Sequence, residues 1–181
     1  MSSKINICEI ITGHFDTLRD TGDNLSKTDI VTFILLPFVI GIISIFNSFN
    51  LDASLSSLLV NFGSILTALL LSVLMLVYEQ ESKLDSADKD KITVLKRKLL
   101  KELYYNISFS IICSLSLVFM CFLHSVALGT IWKFNIKEHL LEIPIDTWFL
   151  TPLIVIVAVN LVLNMLMIVK RMHTLLTAIP R

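Results

Sequence analysis

The side chains able to do chemistry are few, and their spacing decides what they can do. His14 and Asp16 stand two residues apart in the N-terminal segment, a pairing that could serve acid–base chemistry. No nucleophile or metal partner accompanies them, so they read as polar positions of a surface helix. Cys8, Cys113 and Cys121 have neither the pattern of a disulfide framework nor the spacing of zinc ligands. His124 falls within a long apolar stretch, where its charged form is costly; it could sense pH, and more simply is a neutral hydrogen-bonding residue. These residues assemble into no catalytic set, so the chain is expected to be non-enzymatic, with no cofactor and no metal.

The elements that must position these residues are apolar. The 181 residues are 55% hydrophobic and only 17% charged, with a mean hydropathy of +0.79, whereas a globular domain is about 25% charged. Stretches free of Asp, Glu, Lys and Arg run from Ile30 to Leu51, Ala53 to Tyr78, Leu103 to Trp132 and Thr147 to Val169. Each exceeds the roughly 20 residues a helix needs to cross a hydrocarbon core. The fold class is therefore all-α: a polytopic membrane protein of four transmembrane helices in two hairpins, with short amphipathic cytosolic helices. The expected boundaries are a cytosolic segment (1–29), spans at 30–48, 54–78, 104–131 and 147–170, a basic cytosolic loop (79–103), an outer loop (132–146) and a cytosolic tail (171–181). No separate soluble catalytic domain fits between them. MSSKINICEI has no signal-peptide pattern, so the first span is expected to direct insertion.

Charge placement sets the orientation. Thirteen of the fifteen Lys and Arg residues fall in the N-terminal segment, the central loop and the C-terminal end, leaving Lys133 and Lys137 for the outer loop. By the positive-inside rule both termini and the central loop are cytoplasmic, which in a bacterium means an inner-membrane protein. Trp132 and Trp148 flank the outer loop, while Tyr78, Tyr104 and Tyr105 mark the inner interface, as membrane-belt aromatics do.

At the inner face, Ser26-Lys27-Thr28-Asp29 reads as a capping box, with Leu25 and Ile30 as its hydrophobic staple. Pro37 lies inside the first span and is a candidate kink, and Gly41 allows close approach of another helix. Ile5, Cys8, Ile11, Phe15 and Leu18 recur at helical spacing and predict an amphipathic helix upstream. That helix is net acidic, so a protein partner or the basic central loop suits it better than an anionic leaflet. Ile92, Leu95, Leu99 and Leu103 line one face of a helix running into span three, whose other faces carry Lys91, Lys96, Arg97, Lys98 and Lys101. This cluster, with Phe15 and Leu18, is the expected surface for a cytosolic partner or the lipid headgroups. Direct nucleic-acid binding is not expected, because no aromatic platform accompanies the charges.

Within the spans the polar groups are neutral. Span two carries Asn61, Ser64, Ala68 and Ser72 along one stripe. Span three carries Asn106, Ser110, Ser114, Cys121, His124, Ser125 and Gly129, and span four carries Asn160 and Asn164. At about 1.5 Å per residue, Asn61 and His124 fall in the outer half of the membrane and Asn160 near its middle. Small residues admit close helix contact and amides bond across helices, so these positions are expected to seal the bundle or join protomers. Proton pumps and ion-coupled carriers use charged intramembrane groups, which these spans lack.

The capped segment Leu25-Ser26-Lys27-Thr28-Asp29, the basic run Lys96-Arg97-Lys98 and the exit Lys170-Arg171-Met172-His173 complete a four-span architecture that resembles the membrane subunit of the two-component Kiwa anti-phage defence system. The resemblance implies a homo-oligomer in the inner membrane, a tetramer. It would sense phage-induced membrane change and hold a cytosolic partner that acts on phage DNA. Two other functions fit the same spans: a pore-forming effector that depolarises the membrane, and an accessory subunit of a transporter.

Overall fold

A computed structural model describes residues 7–18, 27–47, 49–85, 91–129, 131–136 and 139–177. Four of its helices are long and apolar enough to cross a membrane: Thr28–Phe46, Ala53–Leu84, Thr93–Ala127 and Asp146–Leu175. They are called spans one to four here. Large apolar side chains such as Leu58, Ile65, Leu69, Phe119, Phe122, Phe149 and Leu166 point outward from the bundle. Only a hydrocarbon solvent makes such a surface stable, because in water it would drive aggregation. This is a multi-pass membrane protein.

The helices of spans two and three run well past their apolar stretches, over Ala53–Asp85 and Lys91–Ala127. Asp52 starts span two: its Oδ1 accepts the Leu55 N–H at 2.8 Å and its Oδ2 accepts the Ser54 hydroxyl at 3.0 Å. These bonds favour the ionised carboxylate and hold Asp52 below the ordinary carboxyl range. Span three ends at Ala127, and Gly129 at φ +76° turns the chain, a conformation that costs a residue with Cβ.

Span three is the centre of the packing, lying against spans two and four, while span one packs on span four. Spans one and two are consecutive in sequence yet are not each other's principal neighbours, a difference from the simple two-hairpin expectation. The apolar core combines Leu66, Leu70 and Val77 of span two with Leu103, Ile107 and Leu117 of span three and Ile154 and Leu161 of span four. On span two the buried positions Ser56, Gly63, Leu66, Leu70 and Val77 follow the three-four spacing of left-handed helix pairs.

Gly63 is buried and its neighbour Ser64 exposed, and they give the first prediction. A Cβ on Gly63 would stand 2.9 Å from Val118 Cγ2 and 3.3 Å from the Ser114 carbonyl, whereas Ser64 is exposed to lipid. Gly63→Leu is expected to destabilise the bundle by about 1.5 kcal/mol through overpacking. Ser64→Leu should leave the melting temperature of the detergent-solubilised protein unchanged. Equal effects of the two substitutions would refute this packing.

The chain between spans three and four was expected to lie as an interfacial segment; it forms an antiparallel ribbon. Strand β1 (Ile131–Ile136) pairs with β2 (His139–Pro144), Ile131 opposite Pro144 and Ile136 opposite His139. Ile131, Trp132, Phe134 and Ile136 are residue types that favour strands, and pairing satisfies backbone groups that a lone segment at the interface would leave open. A π-helical turn at Asp146–Leu150 then leads into the helix Thr151–Thr177.

The N-terminal helix α1 (Ile7–Asp16) lies against span three. The end of span four reaches the same place, since Arg171 Nη2 donates to the Thr17 carbonyl at 2.7 Å. Helix α1, the start of span three and the end of span four therefore share one end of the bundle, and the β-ribbon occupies the other.

Candidate functional site at the α1 end of the bundle

Helix α1 is fastened by polar groups. Gly13 sits so close to the Tyr105 ring that a Cβ there would collide with it. That contact brings His14, 2% exposed, parallel to Phe109, with ring centroids 3.9 Å apart and planes 4° from parallel. His14 Nδ1 lies 2.8 Å from Asn106 Oδ1, so the ring donates from Nδ1. Thr17 Oγ1 shares its proton between Asn106 Oδ1 at 2.9 Å and the His14 carbonyl at 2.7 Å. Arg171 closes the assembly, with Nη1 on Glu102 Oε2 at 3.0 Å and Nη2 on the Thr17 carbonyl. Three segments, α1 with the turn after it, span three and span four, thus meet through five polar residues. Burial, opposed by the Asn106 bond and aided by the Arg171 charge, lowers the His14 pKa from 6.5 to about 4, so the ring is neutral near pH 7.

Deeper in the bundle a second polar joint holds span one. Its Val31–Leu35 turn is π-helical, with the Leu36 N–H donating to the Val31 carbonyl. The ladder would next need an N–H from residue 37, which is proline. Where the register passes back to α-helical, the Phe33 carbonyl instead accepts Asn160 Nδ2 from span four at 2.9 Å. Asn160 Oδ1 in turn accepts Asn164 Nδ2 at 2.7 Å. The kink expected at Pro37 thus takes the form of a π-helical turn tied across to span four. Gly41 makes the expected close approach: a Cβ there would lie 2.5 Å from Ile156 Cγ1 and 3.2 Å from the Pro152 carbonyl.

The residues predicted from sequence divide into those the structure gathers and those it turns away. Ser110, Ser114, His124 and Asn164 are buried within the single chain. Ser110 caps the Asn106 carbonyl at 2.8 Å, and Ser114 lies 2.7 Å from Thr67 of span two. His124 Nε2 lies 3.4 Å from Thr151 Oγ1. Asn160 and Asn164 bond inside the chain, so Asn164, fully buried, is no contact between protomers. Asn61, Ser64, Ala68 and Ser72 all face outward. As a seal within the bundle that stripe is corrected; Gly63 and Thr67 occupy the packed face instead. The Ser72 hydroxyl bonds the Ala68 carbonyl of its own helix at 3.1 Å, and a serine satisfied in this way can face lipid.

At the α1 end of span three Arg97, Lys98 and Lys101 are exposed and Lys96 is partly buried. Lys91 begins the helix, and its side chain lies outside the described residues, as do the side chain of Trp132 and the expected cap Ser26 with Leu25. Phe15 is 40% exposed, but Leu18 is 2% exposed. Leu18 is therefore a core contact of α1, and its assignment to an outside partner is corrected. Trp148 and Tyr78 face outward, and Tyr104 and Tyr105 are partly covered by each other's rings and by α1.

Beside α1, Gly13, Asp16, Thr17, Lys98, Lys101, Glu102 and Tyr105 enclose a cleft of about 290 Å³. The structure therefore joins the acidic helix to the basic stretch of span three. The joint was hidden from the sequence because His14 and Asn106 are 92 positions apart, and Glu102 and Arg171 lie in different spans. Chemically the cluster holds elements together through the Asn106 Oδ1 and Arg171 bonds, while the buried Asn106 Nδ2 finds no partner among the described residues. Among the described residues no group of three or more His, Cys, Asp or Glu is placed to hold a metal ion.

The chain matches no family model, no curated protein and no solved structure.

Proposed function

We propose that this protein is a non-enzymatic membrane anchor and sensor subunit, with both termini in the bacterial cytoplasm, that docks an acidic cytosolic partner in anti-phage defence. The observation that carries the docking half is the surface beside the latched helix. Arg97, Lys98 and Lys101 stand exposed on a rigid helix, next to α1, whose outward residues Glu9, Thr12 and Asp16 are also exposed. A fixed basic ridge attracts an acidic partner at long range and loses little conformational freedom on binding. The positive-inside count supports the orientation, and the sensing and defence role rests on the resemblance to the Kiwa membrane subunit.

Homo-oligomerisation belongs to the same reading. Asn61 is exposed within span two, and no described residue bonds its side chain. An amide facing hydrocarbon is stabilised when a second copy supplies a partner across the interface. Asn106, Asn160 and Asn164 form side-chain bonds that tie elements of one chain together, which favours an anchor over a pore, because a conducting path needs polar groups turned toward its lumen.

Neutralising the ridge tests this proposal. Lys96, Arg97, Lys98 and Lys101, all changed to Gln in the full chain, should lower recovery of the partner encoded beside it at least tenfold and abolish protection in a plaque assay. Membrane insertion and oligomer mass should be unchanged. Partner recovery equal to that of the unaltered protein would sink the docking surface, and full protection without the ridge would sink the sensor role built on it.

A further inference from the structure

A groove of about 320 Å³ opens beside span four at the α1 end, lined by Asp29, Thr32 and Phe33 of span one, Leu163, Leu166, Met167, Lys170, Arg171 and Thr174 of span four, and Thr17 and Leu18 after α1. Its lower wall is apolar and its rim is charged. The signs on the rim are mixed. The exposed Lys170 side chain makes no hydrogen bond or ion pair among the described residues, and the partly exposed Asp29 carboxylate makes none either. Arg171 is held by Glu102 and the Thr17 carbonyl, yet its guanidinium keeps further N–H donors beyond those two bonds. Asp29 is near enough for its charge to act on Arg171.

Beneath α1 lies a second, apolar cavity of about 190 Å³, bounded by Phe15, Pro37, Phe38, Phe109 and Ile156 among others. Leu18 and Phe33 line both spaces. A charged rim at the depth where span four leaves the hydrocarbon, set above apolar walls, has the form of a site for a lipid: headgroup outside, acyl chain inside. The mixed rim narrows the headgroup. A phosphate suits Lys170 and the spare Arg171 donors. A headgroup of net negative charge would bring nothing to Asp29 and would be repelled by it, whereas one ending in a primary ammonium satisfies Asp29 as well.

We infer that this groove is a specific site for a zwitterionic phospholipid with a primary ammonium headgroup, phosphatidylethanolamine in chemical type. The phosphate sits on Lys170 and Arg171 and the ammonium on Asp29, with one acyl chain along Leu163, Leu166 and Phe33. Because Arg171 also carries the Thr17 carbonyl, an occupied site braces the residue that fastens α1. The inference is independent of what the basic ridge docks.

Native mass spectrometry of the detergent-purified full chain tests it, with dioleoyl phosphatidylethanolamine, phosphatidylcholine or phosphatidylglycerol added in turn. The unaltered protein should retain phosphatidylethanolamine about fivefold more than phosphatidylcholine, whose methylated ammonium cannot donate to Asp29, and more than phosphatidylglycerol. Asp29→Asn should bring phosphatidylethanolamine down to the phosphatidylcholine level. Lys170→Gln should lower retention of all three about fivefold. Leu166→Trp, at an exposed wall position, should block the groove without touching a charge. Circular dichroism establishes that each variant is folded. Equal retention of the three lipids, preference for phosphatidylglycerol, or a Lys170→Gln variant that binds like the unaltered protein would overturn the site.

Discussion

Lowering the pH from about 7.5 to about 5 is expected to loosen α1 from the bundle while the four spans stay folded. His14 is the reason. Docked, its pKa is about 4; released into water it returns toward 6.5. Between those values the released helix binds more protons than the docked one, so acid favours release. His14 therefore supports docking fully above about pH 6.5, and that support fades as the pH falls toward 4. The difference amounts to about 2 kcal/mol at pH 5 and about 3 kcal/mol at pH 4. The charged groups surrounding the ring act in known directions. Arg171 from span four opposes a second positive charge, while Glu102 of span three is already paired to Arg171. Asp16, on α1 itself, lines the cleft with Lys98 and Lys101.

Hydrogen exchange of the α1 amides in lipid nanodiscs, corrected for intrinsic rate, measures the effect directly. Protection of residues 8–17 should fall at least tenfold between pH 7.5 and 5, with span three unaffected. His14→Gln keeps a hydrogen-bonding partner for Asn106 and removes the titration, so its protection should be flat over that range. A pH response that survives in His14→Gln would assign the switch to the carboxylates instead. Constant protection in the unaltered protein would mean that His14 is not the fastening element.

The spans themselves were legible because hydrocarbon imposes a length and a composition that no soluble element shares. Which face of each span packs was harder to read. On span two the small residues Ser64, Ala68 and Ser72 suggested a seam, yet a serine can satisfy its hydroxyl on its own helix and turn to lipid, as Ser72 does. The better signal was the repeat of Gly63, Leu66, Leu70 and Val77, where a glycine marks close approach and the leucines fill the spacing. The amphipathic pattern of α1 was clear, but a pattern names a buried face without naming what covers it. Its covering, Asn106 with Tyr105 and Phe109, looked from sequence like an ordinary stretch of span three. The β-ribbon went unread because short apolar runs near an interface suit a strand and a surface segment alike.

Replacing Asn160 with Leu is expected to destabilise the bundle by about 2–3 kcal/mol, although Leu is more at home in lipid than Asn. The substitution leaves the Phe33 carbonyl without its Asn160 donor and removes one of the two acceptors of Asn164 Nδ2, which keeps the Asn160 backbone carbonyl at 3.0 Å, and an orphaned buried polar group costs about 1–3 kcal/mol. The amount depends on Pro37, because the proline is what interrupts the ladder around Phe33. In a Pro37→Ala background residue 37 regains its N–H, the turn can serve its own carbonyls, and Asn160→Leu should then cost about 1 kcal/mol less. A double-mutant cycle isolates this coupling, since the loss at Asn164 occurs in both backgrounds and cancels. Reversible unfolding in mixed micelles supplies the four free energies. A coupling near zero would mean that Asn160 holds span one for some reason other than the missing proline donor. A coupling of the expected sign makes span four the keeper of the π-helical turn. The two polar joints then share one logic: each supplies, from a distant part of the chain, the partner that a buried group cannot find nearby.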